Sequence, residues 1–205
     1  MYYFQSFSDT IVFNGINGFI ADTSNSMSYC ASNPLPELNN SNTTTIDEVT
    51  LFGDNFSINN NTSGYDDFYD DFTYLFADIQ ENQSYTINVT VGDLSGGSYN
   101  GGAKVFIDYN IDGDFLDAGE DIGIIPVQAV PGTSVALPFT VPITGSYGPT
   151  RMRVVCQSTY DFTTPNDITP CESPAAGSWD NPWFGATEDY SIVLTNPSSS
   201  ASSCD

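Results

Sequence analysis

The chain has 205 residues, 40% of them hydrophobic, with 14 Phe and 12 Tyr. That is enough apolar material for one sizeable core and excludes a wholly disordered chain. Asp and Glu number 26 against 3 Lys and Arg, a formal net charge of -23, which excludes phosphate backbones and anionic lipid surfaces as partners and leaves cations as the natural ones. No apolar run approaches the roughly 18 residues of a membrane span.

Residues 1–28 read as an N-terminal extension or connector in which Thr10–Asn14 could add an edge strand, to this domain or to another copy. The opening Met1-Tyr2-Tyr3-Phe4 lacks the basic region of a signal peptide, so the expectation is a mature or excised fragment. Short runs rich in β-branched and aromatic residues follow, bounded by Gly, Asn, Asp or Pro. They predict strands at Glu48–Phe52, Thr73–Ala77, Ser84–Val91, Ala103–Tyr109, Ser134–Val141, Thr150–Cys156 and Thr187–Leu194. Tyr85, Ile87, Val89 and Val91 alternate with polar residues, the signature of a half-buried strand. No segment carries a helical stripe with caps. The expected fold is all-β: an antiparallel β-sandwich, jelly-roll-like, over residues 29–194, with residues 195–205 as a Ser-rich C-terminal connector.

Asp108-Tyr109-Asn110-Ile111-Asp112-Gly113-Asp114-Phe115-Leu116-Asp117-Ala118-Gly119-Glu120 is the sharpest chemical signal. Oxygen ligands alternate and a glycine takes the sixth place, the arrangement a hard cation with six to eight oxygen ligands requires. The reading is an EF-like Ca2+ loop leaving a strand instead of a helix, its closing Glu one residue later than in an EF-hand. The side chains of Asp108, Asn110 and Asp112, the backbone carbonyl of Asp114 and the carboxylate of Glu120 are the expected ligands. Asp117, Glu188 and Asp189 are further candidates. The bland alternative is an Asp/Asn/Gly turn with solvated charges. A second acidic group, Asp66, Asp67, Asp70 and Asp71, reads first as a solvated loop, then as a second cation site or a sugar-facing surface with Tyr65 and Tyr69. Trp179 and Trp183 form a candidate glycan platform, or else cover the open end of the sandwich.

Cys30, Cys156, Cys171 and Cys204 form an even set without a CxxC pair, and the chain has no His. Disulfides in an oxidising compartment are therefore expected over a zinc site. Three connectivities are open; the pairing favoured here joins Cys156 to Cys171 and Cys30 to Cys204. Sequons at Asn39, Asn42, Asn55, Asn60, Asn61, Asn82 and Asn88 are read as chance products of an Asn/Ser/Thr-rich composition. Arg151 and Arg153 share one strand face and are read as structural ion-pair partners.

These residues resemble the GEVED domain, a module of large secreted bacterial surface proteins. The likeness runs from Tyr29-Cys30 to Leu194 and rests on Tyr69-Asp70-Asp71-Phe72-Thr73, the Asp108–Glu120 loop, Thr150-Arg151-Met152-Arg153-Val154, Pro170-Cys171 and Gly185-Ala186-Thr187-Glu188-Asp189-Tyr190. Ala186 and Thr187 stand where the family's signature has Glu and Val, so only the roles of Glu188 and Asp189 carry over. The resemblance implies an extracellular β-sandwich found in adhesins and multidomain exported proteins, with no catalytic contribution.

Enzyme readings are weak: there is no His for a nucleophile triad and only Lys104, Arg151 and Arg153 are basic, although a glycosidase, which needs just two carboxylates, survives on sequence alone. The chain is therefore expected not to be an enzyme. The expected role is a calcium-stabilised cell-surface or secreted module for adhesion or spacing, partnered by neighbouring modules or copies of itself. A self-assembling fibre subunit and a carbohydrate-binding module are the alternatives.

Overall fold

The computed structural model describes residues 27–32, 44–61, 69–93, 100–128, 132–159, 164–171 and 184–197. Among the described residues the regular structure is nine strands and one 3-10 turn, Pro165–Asp167. The strands are β1 (Thr44–Phe52), β2 (Ser57–Asn61), β3 (Tyr69–Gln80), β4 (Ser84–Asp93), β5 (Gly101–Ile107), β6 (Asp121–Gln128), β7 (Val135–Thr140), β8 (Gly148–Ser158) and β9 (Gly185–Thr195). Seven of these cover the runs expected from alternation; β2 and β6 were not expected. Thr10–Asn14 lies outside the described residues.

The strands form two sheets, ordered β2-β1-β4-β7 and β3-β9-β8-β5-β6. The all-β sandwich is as expected, with one correction: β3 pairs with β9 in parallel, so the five-stranded sheet is mixed. Strand β9 is the last in sequence yet lies inside this sheet, antiparallel to β8 and parallel to β3. The edge strands β6 and β7 each contain a proline, Pro126 and Pro138, a residue that sheets tolerate at edges because it donates no ladder hydrogen bond.

The main core lies between the sheets. Ile46, Val49 and Leu51 of β1 and Ile87, Val89 and Val91 of β4 meet Val105 and Ile107 of β5, Met152 and Val154 of β8, and Tyr190 and Ile192 of β9. Fully burying an aliphatic side chain of this size is worth about 1.5–3 kcal/mol. A second, smaller core covers the outer face of the five-stranded sheet, where Phe106 and Val155 pack with Phe115, Ile168 and Tyr29. Strand β5 is consequently buried along its whole length. All three basic side chains also stand on this outer face. Lys104 pairs with Asp121 at 2.7 Å, and Arg151 and Arg153 both reach Asp189.

The disulfide joins Cys30 to Cys171, with their Cα atoms 5.3 Å apart across 141 residues of sequence. This corrects the expected Cys156–Cys171 and Cys30–Cys204 pairing. Alternation along β8 explains it: Arg153 points to the outer face, where Cys30 and Cys171 lie, while Cys156 points into the main core as a buried thiol. The Cys156 Sγ faces the Thr44 carbonyl oxygen at 3.5 Å. Cys204 lies outside the described residues.

Two carboxylates clamp the loops at the sandwich ends. Asp78 accepts the Asn55 and Phe56 amides at 2.8 and 2.6 Å and the Asn55 side-chain amide at 2.6 Å, fixing the β1–β2 hairpin. Glu81 Oε1 accepts the Thr144 and Gly145 amides, each at 2.6 Å, and its Oε2 accepts the Tyr147 hydroxyl at 2.8 Å. The Gly145 amide first, then the Tyr147 hydroxyl, holds the Glu81 carboxyl below its ordinary value of 4.5. Such a group binds protons less readily folded than unfolded, so its stabilisation is present above that ordinary value and lost as pH falls through the folded one. Denaturant midpoints are accordingly expected to fall below about pH 4.5, and Glu81→Gln should flatten that part of the profile. A Glu81→Gln profile superimposable on wild type would count against the clamp.

Candidate metal centre

The Asp108–Glu120 loop leaves the end of β5 and returns to β6 through a reversal whose backbone the side chains themselves fix. Asp108 is fully buried. Its Oδ1 accepts the Ile111 and Asp112 amides at 2.7 and 3.3 Å, and its Oδ2 accepts the Gly113 amide at 3.1 Å and the Tyr29 hydroxyl at 2.7 Å. Gly113 has φ +96° and Gly119 φ +100°, left-handed conformations open to glycine at little cost. Ile111 also has φ 62°, unusual for a β-branched residue, and it is held there by its amide's bond to Asp108.

Glu120 folds back beneath the loop. Its Oε1 accepts the Tyr109 amide at 3.0 Å and its Oε2 the Asp117 amide at 3.2 Å. Burial pushes its carboxyl up to about 7, with the nearby Asp108 charge adding to the effect. Asp108 and Glu120 thus organise the loop from within, their oxygens taken by main-chain amides and, at Asp108, by the Tyr29 hydroxyl as well.

The carboxylates of Asp112, Asp114 and Asp117 converge, one oxygen of each within 4.8 Å of the others. Asn110 joins them, its amide donating to Asp112 Oδ2 at 2.9 Å and Asp117 Oδ2 at 2.7 Å. Oxygens that share one calcium at about 2.4 Å lie at most about 4.8 Å apart, so these three carboxylates fit a single cation of that size. Among the described residues none of the three pairs with a basic side chain. Asp114 thus enters the cluster through its carboxylate, where the sequence suggested its carbonyl.

The structure does not bring Glu188 and Asp189 to this cluster. Strand β8 separates β9 from the loop-bearing β5, and alternation sends the two acids to opposite faces. Glu188 lies on the inner face, where it accepts the Tyr190 hydroxyl, with Asp70 of β3 as its register partner. Asp189 lies on the outer face with both oxygens engaged: Arg153 Nε donates to Oδ1 at 2.7 Å, and Arg153 Nη2 and Arg151 Nη1 donate to Oδ2 at 2.8 and 3.3 Å. The expected structural role of the two arginines is what the geometry provides.

Of the proposed sugar-facing aromatics, Tyr69 donates its hydroxyl to Asp189 Oδ2 at 2.9 Å and so belongs to the arginine cluster. Tyr65, Trp179 and Trp183 lie outside the described residues, as do Asp66 and Asp67. Asp71 accepts the Thr73 amide and hydroxyl at 3.0 and 2.6 Å, a local turn contact.

Sequence reasoning did not single out Tyr29 as part of the site. Its ring lies 4.9 Å from that of Phe115, with the Arg151 guanidinium 4.4 Å from its centroid, and its hydroxyl reaches Asp108. Burial holds that hydroxyl protonated, above the ordinary tyrosine range. Tyr29 and Asp108 are 79 residues apart, and the only local hint was the neighbouring Cys30.

A Niemann-Pick type C2 protein from Japanese carpenter ant, known from a crystal structure, is similar to this chain at 9% identity and a TM-score of 0.33, covering 76% of this chain and 96% of that one. No curated protein matches the chain. Residues 102–193 match the family model described as the GEVED domain. That span begins in β5, contains the whole acidic loop and ends in β9, whose Ala186-Thr187-Glu188-Asp189-Tyr190 supplies both the inner Glu188 and the outer Asp189. The chain therefore carries a GEVED domain over residues 102–193.

Proposed function

We propose that this chain is a non-catalytic extracellular module whose Asp108–Glu120 loop binds calcium and thereby stiffens the sandwich. Its role is adhesion or spacing within a cell-surface or multidomain secreted protein. The observation that carries the reading is the convergence of Asp112, Asp114 and Asp117, oxygens of all three within 4.8 Å, on a loop that Asp108 and Glu120 have already shaped. A chain of net charge -23 holds three carboxylates together at a cost that a divalent ion removes. The GEVED match and the Cys30–Cys171 bridge support a location outside the cell, where disulfides persist. Among the described residues no helix is long and apolar enough to cross a membrane. Neighbouring modules or further copies of the chain are its proposed partners.

Calorimetric titration of the full chain with calcium tests the metal. One ion per chain is expected, and Asp112→Ala should weaken its binding about tenfold or more, the effect of losing one charged ligand. Absence of binding by the wild-type chain at millimolar calcium would remove the ion from the account.

A further inference from the structure

Residues 27–32 belong to neither sheet, yet they lie against the loop at two points and against β9 at a third. Tyr29 covers Phe115 and donates to Asp108 Oδ2 at 2.7 Å. Met27 lies close against Gly113, where an added Cβ would come within 3.3 Å of the Met27 Cβ. Ser32 bonds Thr187 of β9, hydroxyl to hydroxyl, at 2.8 Å. What holds the segment in place is the Cys30–Cys171 bridge, reinforced by Arg153 Nη1, which donates to the carbonyls of Cys30 at 2.8 Å and Pro170 at 2.7 Å. Without a strand ladder to bind it, the segment has no other extended set of main-chain contacts among the described residues.

We propose that the Cys30–Cys171 bridge is a redox latch on the cation loop, and that Tyr29 is the positioning residue through which it acts. This rests on the calcium reading above. Closing the bridge oxidises two thiols: one S–S bond forms, and two electrons and two protons pass to a disulfide oxidant, which leaves as a dithiol. The segment is then pinned, and Tyr29 fills the fourth hydrogen-bonding position of Asp108 while covering Phe115. A dithiol reductant reverses the step. In the reduced chain the segment keeps only non-covalent contacts, the Arg153 and Ser32 hydrogen bonds and the packing of Tyr29 on Phe115; Tyr29 occupies its place on Asp108 less fully, and ion binding must itself complete the order of the loop. Ligand binding that has to order its site is weakened by the cost of that ordering. High affinity for calcium is thus acquired with oxidation, after the chain reaches a disulfide-forming compartment.

Calcium titration of four full-length proteins tests this: oxidised wild type, the Cys30→Ser/Cys171→Ser double variant, Tyr29→Ala and Tyr29→Phe. The double variant and Tyr29→Ala, the latter with its bridge intact, are expected to bind calcium about tenfold more weakly, and Tyr29→Phe several-fold more weakly. Hydrogen exchange gives a metal-free readout: the Ile111 and Gly113 amides, which bond Asp108, should exchange about tenfold faster in chelated double variant than in chelated wild type. If the double variant does not fold, Tyr29→Ala carries both measurements. No calcium uptake by oxidised wild type overturns the metal reading and the inference together. Normal uptake by wild type with unchanged affinity and exchange in the variants overturns the latch alone.

Discussion

Replacing Asp189 by alanine is expected to destabilise the chain by about 3–5 kcal/mol, the usual cost of stranding one member of a buried ion pair. Arg153 is 1% exposed and Asp189 0%. The guanidinium gives two hydrogen bonds to that carboxylate, from Nε and Nη2, and turns its Nη1 to the Cys30 and Pro170 carbonyls. Burial works against the Arg153 charge, and the Asp189 hydrogen bonds override it, so the arginine holds its proton more tightly than usual. Remove the carboxylate and a full positive charge remains beneath the Tyr29 segment, faced by carbonyl dipoles, the Tyr69 hydroxyl and the Phe115 ring but by no negative partner at that position. For a chain of this length the loss corresponds to a melting temperature lower by roughly 6–20 °C. The double replacement Arg153→Met/Asp189→Leu should recover much of that stability, because pairing, not charge itself, is what the site needs. Equal melting temperatures for wild type and Asp189→Ala would show that the pair is not buried in solution.

Removing calcium is the second large effect expected. An ion that binds only the folded state stabilises it by about 2.7 kcal/mol at one hundred times its Kd and about 4.1 kcal/mol at one thousand times. Chelation should therefore lower the melting temperature by roughly 5–16 °C. Asp112→Ala should reproduce much of that drop and make the rest insensitive to chelator, since Asp112 is one of the three converging carboxylates. Magnesium should substitute poorly, because it demands a tighter octahedral shell and releases its water reluctantly. The outcome that sinks this expectation is a single melting curve shared by calcium-loaded, chelated and Asp112→Ala protein.

Elements were legible in the sequence where one face is buried. Strand β4 alternates because Ile87, Val89 and Val91 enter the core while Ser84 and Thr86 face water. Strand β2, Ser57-Ile58-Asn59-Asn60-Asn61, buries only Ile58, so no alternation announces it; it exists because β1 offers a ladder. Strand β6 carries Gly123 and Pro126, both of which argue against a strand, and is tolerated as the edge beside β5. The acidic loop was legible for a different reason. Its candidate oxygen ligands lie close together in sequence, so the pattern is local, and the structure shows which of their carboxylates converge.

The chain's sequence by itself determined the all-β class, the acidic loop and the structural role of the arginines, because alternation, ligand spacing and charge scarcity act over a few residues or over the whole composition. Tertiary structure alone decided the Cys30–Cys171 bridge, the separation of Glu188 from Asp189, the parallel pairing of β3 with β9, and the place of Tyr29 on Asp108. Each of these joins groups far apart in sequence. Which such groups meet is fixed by strand order and by the face on which each side chain leaves its strand, and both depend on the packing of the entire sandwich.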